Sequence, residues 1–265
     1  MEILPFHNGT YKTDPSAASS FARLTPSFSF YRRMAAIVLI SSSRAKRGHY
    51  GDSGWAESSQ DIMKALEHVG VTIEVTGVDH FIDLHVPCVF IGNHMSTLET
   101  FVLPGIIEPL KDVTFVVKKS LIDYPVFRYV MRSRDPVVVG RVNPREDLKA
   151  VLDGGTERLK TGRSVIIFPQ TTRTPVFDPA AFNTIGIKLA KKAGVPVIPI
   201  ALKTDAWGNG KHLKDFGRID PSKKVHFAFG EPLSVKGNGA GEHQRIIEFI
   251  SGKLKEWGSG YALRS

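Results

Sequence analysis

The run Val86-Pro87-Cys88-Val89-Phe90-Ile91-Gly92 constrains this chain most, because it is almost wholly apolar, too short for a core helix, and repeated in kind. Such a run reads as a strand covered on both faces. Similar runs stand at Val113–Val117, Val137–Val139, Val165–Phe168, Val195–Leu202 and Val225–Phe229, and Val71–Val75 alternates apolar and polar residues. Helical stretches separate several of them, notably Glu146–Thr161 and Thr184–Ala193, with Gly162 and Gly194 where helix C-termini are capped. Strand, helix and strand in repetition predict an α/β fold: a single domain with a mixed, largely parallel central sheet flanked by helices. The 265 residues suffice for such a core without disulfides.

The text before Val71 has a different character. Residues 1–27 mix Ser, Thr, Pro and Gly without periodicity and read as a mobile or loosely docked leader. Residues 28–70 form an N-terminal helical or interfacial segment, in which Arg44–Ser58 is a polar connector. From Ser59, Ile62, Met63, Leu66 and Val69 mark one helix face, which Gly70 stops. The main α/β domain is expected over 71–258. The apolar run Met34–Ile40 is too short to span a bilayer and is flanked by Arg32, Arg33, Arg44, Lys46 and Arg47. It suits either a helix lying in a membrane interface or an ordinary core helix. The net charge of +9 favours polyanions such as anionic lipid or a phosphorylated substrate. Neither zinc-finger spacing nor interleaved aromatic and basic residues points to nucleic acid. The single cysteine, Cys88, leaves no intramolecular disulfide and favours a reducing compartment.

In open α/β sheets, ligands bind beyond the carboxyl ends of the strands. The residues leaving the Val86–Gly92 run are Asn93-His94-Met95-Ser96-Thr97-Leu98-Glu99. A histidine with a carboxylate partner is a general-base unit. On one regular helix, positions five apart diverge by roughly 140°, so the pair meets only if His94 lies in the turn and Glu99 in the first helical turn. Ser96 and Glu99 equally match a capping box, in which the glutamate only satisfies a backbone donor. Arg141 follows the Val137–Val139 strand, and Arg173 follows the next one within Phe168-Pro169-Gln170-Thr171-Thr172-Arg173-Thr174. Parallel strands would bring both arginines to the edge that carries His94, where guanidinium forks suit phosphate. Each could also be a surface charge paired with a nearby carboxylate.

The order of these segments, with the strand Val195-Pro196-Val197-Ile198-Pro199-Ile200, resembles the glycerolipid acyltransferase family, the one that contains 1-acylglycerol-3-phosphate (lysophosphatidate) acyltransferases. That family's first motif is Asn-His, four residues and Asp. Its second ends in Arg, its third reads Phe-Pro-Glu-Gly-Thr-Arg-Ser, and its fourth is a Val-Pro-Val-Ile-Pro-like strand. The resemblance runs from about Val71 to Pro232. It implies acyl transfer from acyl-CoA or an acyl-carrier protein to a lysolipid hydroxyl, with no resident cofactor and no metal. His94 would be the base and Glu99 its partner, while Lys118, Arg141, Gln170, Thr171, Thr172 and Arg173 would bind substrate. It also implies a peripheral enzyme on an anionic membrane surface, at the cytoplasmic face, without a transmembrane helix. Glu99 stands where most members carry Asp, as in the related lipid A acyltransferases. Gln170-Thr171 replaces Glu-Gly, which leaves the acceptor open, with 1-acyl-glycerol-3-phosphate as the default.

Other features carry less. Gly51-Asp52-Ser53-Gly54 matches a protease nucleophile loop without the all-β context, and Gly237-Asn238-Gly239-Ala240-Gly241 lacks dinucleotide-binding spacing. His80 and His85 have no companions at metal spacing, and Lys188, Lys191 and Lys192 suit a solvated helix face. The rival functions are a catalytically altered lipid or polyanion binder on the same fold, an acyltransferase for a non-glycerolipid acceptor, and a hydrolase.

Overall fold

The computed structural model describes residues 2–170, 172–210 and 213–259. Among them, eight strands form one sheet in the order β1-β2-β8-β7-β3-β6-β4-β5. The strands are β1 (Tyr11–Lys12), β2 (Ile73–Thr76), β3 (Val89–Gly92), β4 (Val113–Lys118), β5 (Val137–Val139), β6 (Ser164–Ile167), β7 (Val197–Lys203) and β8 (Val225–Phe229). The five strands β7, β3, β6, β4 and β5 run parallel as neighbours. The β7–β8 and β1–β2 pairings are antiparallel, so the sheet is mixed but largely parallel, as the apolar runs predict.

Two cores lie on the two faces of the sheet, and the strand period of two fills both. In β3, Phe90 points into one core, while Val89 and Ile91 point into the other. The first core holds α3 (Asp52–His68) and α5 (Leu98–Ile107), packed against each other. The second holds α8 (Pro144–Lys160), α9 (Ile185–Ala193) and α10 (Ala240–Glu256). The chain therefore leaves β3 across one face through α5, and leaves β6 across the other through α9. Such a divergence between adjacent parallel strands opens a crevice at their carboxyl ends. Local chemistry sets the helix ends. Asn143 caps α8 by accepting from the Arg145 N–H at 3.0 Å, with Pro144 following it. Gly194, at φ +69°, closes α9 in the left-handed conformation.

The N-terminal part differs from the sequence expectation. Residues 2–27 are not a detached leader: β1 joins the sheet beside β2, and Leu4 and Ala22 are buried in the first core. Hydroxyls of Tyr11 and Thr13 donate to Glu67 of α3 at 2.6 and 2.7 Å. Short helices α1 (Ser20–Leu24) and long α2 (Pro26–Lys46) follow, and α3 already begins at Asp52, so the connector expected over Arg44–Ser58 shrinks to residues 47–51. Its polar text conceals a helix whose Trp55, Ala56 and Gln60 are buried. Nor does a structural break fall at residue 71, since one core runs from Leu4 to Phe229. The remaining α-helices among the described residues are α4 (Asp79–Ile82), α6 (Lys119–Asp123) and α7 (Phe127–Ser133).

Candidate active site

Two residues beyond β3, the chain turns so that His94 lies outside the helix and Glu99 in the first turn of α5. Asn93 fixes this exit: its amide exchanges two hydrogen bonds, both 2.8 Å, with the peptide N–H and carbonyl of Leu202 in β7. His94 Nδ1 then stands 2.9 Å from Glu99 Oε1. The carboxylate also accepts from the peptide N–H groups of Met95 and Ser96, at 2.7 and 2.8 Å, and from the Ser96 and Thr204 hydroxyls, at 3.1 and 2.6 Å. Ser96 Oγ in turn accepts from the Leu98 N–H at 3.1 Å. The capping role and the histidine-partner role are thus filled by one carboxylate, because its two oxygens serve several donors.

Glu99 is wholly buried. Burial pushes its carboxyl upward, but the hydrogen bond and charge of His94, the Thr204 hydroxyl and the Ser96 amide outweigh this, and the net shift is below the usual carboxylate range. The positive end of α5 acts in the same direction. Glu99 is therefore the acceptor, so the hydrogen between them sits on Nδ1 of His94, and Nε2 faces away from the carboxylate. The Phe168 ring stacks on the imidazole at 4.5 Å with a 3° interplanar angle, and the histidine side chain stays 15% exposed. An oriented, partly accessible imidazole on a buried carboxylate has the geometry of a general base.

The loop leaving β6 holds this histidine by its backbone. Gln170 Oε1 accepts from the His94 N–H at 2.8 Å, and the Thr174 N–H donates to the His94 carbonyl at 3.0 Å. Gln170 is buried. The Gln170 side chain, expected at the acceptor site, thus points inward and holds the His94 backbone. Arg173 of the same loop donates to Thr97 Oγ1 and lies 2.7 Å from Asp215 Oδ1. Thr172 is exposed, with its hydroxyl on the Arg173 carbonyl at 3.3 Å, and Thr171 lies outside the described residues. Lys118 ends β4 and Arg141 follows β5, both exposed. At about 4.8 Å between neighbouring strands, they stand roughly 10 and 14 Å along the edge from β3. The Gly140 and Arg141 N–H groups donate to Asp147 at 2.9 and 3.1 Å, and Arg141 adopts φ +58°, which bends the chain into α8. The edge accordingly carries Arg173, Lys118 and Arg141, with the His94–Glu99 pair at one end. Cys88 lies at the opposite end of β3, buried, its thiol pushed up by burial to about 12, and supplies no nucleophile.

Three contributors lacked a sequence signal. Thr204 follows β7, Asn209 Nδ2 donates to the Met95 carbonyl at 3.2 Å, and Asp215 holds Arg173, all from a segment without periodicity. The only hint is that Thr204 follows a long apolar strand, as His94 does.

A family model described as Acyltransferase matches residues 72–203. The 1-acyl-sn-glycerol-3-phosphate acyltransferase of Pseudomonas aeruginosa is 39% identical over 188 residues, which are 71% of this chain and 68% of that one. A chloroplastic 1-acyl-sn-glycerol-3-phosphate acyltransferase of Brassica napus is 30% identical over 138 residues, covering 52% of this chain and 38% of that one. The crystal structure of the 1-acyl-sn-glycerophosphate acyltransferase PlsC from Thermotoga maritima aligns with a TM-score of 0.66, over 91% of this chain and 98% of that one. At 19% identity, that likeness speaks for the fold.

Proposed function

This chain belongs to the acyltransferase family, and from that premise we propose that it moves a fatty acyl group from a thioester, acyl-CoA or acyl-carrier protein, to the hydroxyl of a lysophospholipid, by default 1-acyl-glycerol-3-phosphate. The observation that carries the reading is His94 Nδ1 at 2.9 Å from a buried Glu99 carboxylate. His94 Nε2 takes the proton of the acceptor hydroxyl as its oxygen bonds to the thioester carbonyl carbon. The tetrahedral intermediate collapses with cleavage of the carbon–sulfur bond, and the imidazolium returns its proton to the thiolate. Glu99 keeps the Nδ1–H tautomer and stabilises the imidazolium. Arg173, Lys118 and Arg141 hold phosphate along the strand-end edge, and Thr172 offers a hydroxyl beside them. Gln170 belongs to the base's support rather than to the acceptor pocket, so the altered third motif leaves the base unit supported. That favours the enzyme over the non-catalytic binder.

The same reading seats the protein on an anionic membrane surface through α1 and the outer face of α2. Phe21, Leu24, Phe28, Leu39 and Ile40 are exposed there, beside Arg32 and Arg33. Among the described residues, no helix is long and apolar enough to cross a membrane.

The test is acyl transfer by purified protein with an acyl thioester and a panel of lysolipids and other alcohols. His94→Ala should lose about 10²–10⁴ in kcat. Equal activity of wild type and His94→Ala overturns the mechanism, and full activity of Glu99→Gln returns Glu99 to capping alone.

A further inference from the structure

Among the described residues, the cation on the loop that holds His94 is already occupied. Arg173 Nη1 lies 2.7 Å from Asp215 Oδ1, and the Thr97 hydroxyl, which accepts from Arg173, donates to the same carboxylate at 3.3 Å. The segment bearing Asp215 is tied down at Asp215 itself and just beyond it. Trp207 Nε1 donates to the Asp215 carbonyl at 3.1 Å, the Tyr31 hydroxyl donates to the Gly217 carbonyl at 2.5 Å, and the Ile219 N–H donates to Ser27 Oγ at 3.0 Å. Trp207 is itself buried, edge-on to Phe30 at 4.9 Å. The backbone of Asp215 is therefore fixed, whereas its side chain is 52% exposed against 18% for Arg173. The carboxylate can rotate into water at small cost, whereas the guanidinium is mostly covered and also bonded to Thr97.

We propose that Asp215 is a built-in counter-anion for Arg173 that a phosphate-bearing acceptor must displace, which makes Asp215 a determinant of acceptor specificity. The inference rests on the reading of Arg173 as a phosphate holder. A phosphate brought to the same guanidinium would meet the Asp215 carboxylate within a few ångströms, and like charges at that range repel. Removing the carboxylate lifts that opposition for a charged acceptor only. The neutral acceptor gains nothing, so the effect appears as preference and not as a general gain in rate.

The experiment uses the full chain with Asp215→Asn and Asp215→Ala, their folding checked by thermal melts. Glycerol 3-phosphate is titrated calorimetrically, and kcat/KM is compared for a monoacylglycerol 3-phosphate and for the monoacylglycerol without phosphate. Loss of one half-exposed ion pair predicts roughly five-fold tighter glycerol 3-phosphate binding, with a similar rise in preference for the phosphorylated acceptor. In an Arg173→Gln background the Asp215 substitutions should have no further effect. Weaker or unchanged binding makes Asp215 a support that orients Arg173, and overturns the proposal, as does an effect that persists without Arg173. If binding tightens but no acyl transfer occurs with any acceptor, the counter-anion stands and the proposed function fails. If transfer occurs and the preference does not rise, the counter-anion alone fails.

Discussion

Thr204 is a buried partner of the Glu99 carboxylate, and the proposed base chemistry depends on that contact. It is fully buried, and its hydroxyl donates to Glu99 Oε2 at 2.6 Å while lying 3.0 Å from Ser96 Oγ. A hydrogen bond to a buried charge contributes about 1.5–3 kcal/mol, so its loss matters to any step that depends on an ionised Glu99. Thr204→Val keeps the shape and removes the donor; kcat should fall roughly ten-fold or more. Thr204→Ser restores the donor and should recover most of that loss, even though it leaves a small void. Equal rates for the two variants would assign Thr204 to packing only. The sequence exposes His94, Glu99 and Arg173 because each sits a few residues past a recognisable apolar strand. Thr204 hides because its partner is 105 positions away and meets it only through the β3–β7 pairing, which no local pattern announces. Gln170 was legible as part of a motif but not in its direction: its side chain turns inward to the His94 peptide N–H.

At the scale of elements, α3, α5 and α7 are joined by a charge cluster at the end of the sheet opposite the site. Arg134, just past α7 and only 2% exposed, bonds Asp52 at the start of α3, stacks on Trp55 at 4.9 Å, and lies 3.9 Å from Glu108 at the end of α5. Because Asp52 takes the close contact, Arg134 compensates Glu108 only weakly. Burial, with smaller contributions from Asp112 and Asp52, pushes the Glu108 carboxyl up to about 8 against the pull of Arg134. A folded value above the unfolded one means that the protonated acid stabilises the fold. That contribution is complete below the unfolded value near 4.5 and is lost as pH rises through about 8. Glu108→Gln imitates the protonated acid, so its melting temperature should overtake that of wild type progressively from pH 5 to 8.5. Parallel pH profiles for the two proteins would show that Glu108 is already ionised in the fold. Helices α8 and α9 were legible as helical stretches, and β3–β8 as short apolar runs. The first turns of α3 were not, because they combine Asp52, Ser53 and Gly54 with a buried Trp55, and only contact with α5 settles the helix. β1, at two residues, is too short to show any period.

For the whole molecule, the question is which surface meets the lipid that the proposed reaction needs. The chain carries a net charge of +9, which attracts an anionic bilayer but does not choose a face. The apolar exposure does. At 100° per residue, Phe28, Ala35 and Leu39 of α2 fall within about 40° of one another, with Arg32 and Lys46 on the same stripe. The opposite side of α2 buries Phe30 and Met34 in the core, so this helix is both core element and outer face. Phe21 and Leu24 of α1 extend the exposed apolar surface at 79% and 77% exposure. Deleting the N-terminal region would be uninformative, because Leu4, Phe30, Met34 and Trp55 belong to the main core. Phe28→Ser with Leu39→Ser changes only exposed side chains and should leave the melting temperature within a degree or two. Removing two apolar groups worth about 1.5–3 kcal/mol each on burial should weaken co-sedimentation with phosphatidylglycerol vesicles at least ten-fold. Raising salt should weaken it further by screening Arg32, Arg33 and Lys46, and neutral vesicles should bind less at any salt. Binding equal to wild type would remove α2 as the contact. A loss of binding together with a loss of activity on vesicles, but not on detergent-dispersed acceptor, would connect this face to the site. The first two turns of α2 are already tied to the Asp215 segment through Ser27 and Tyr31.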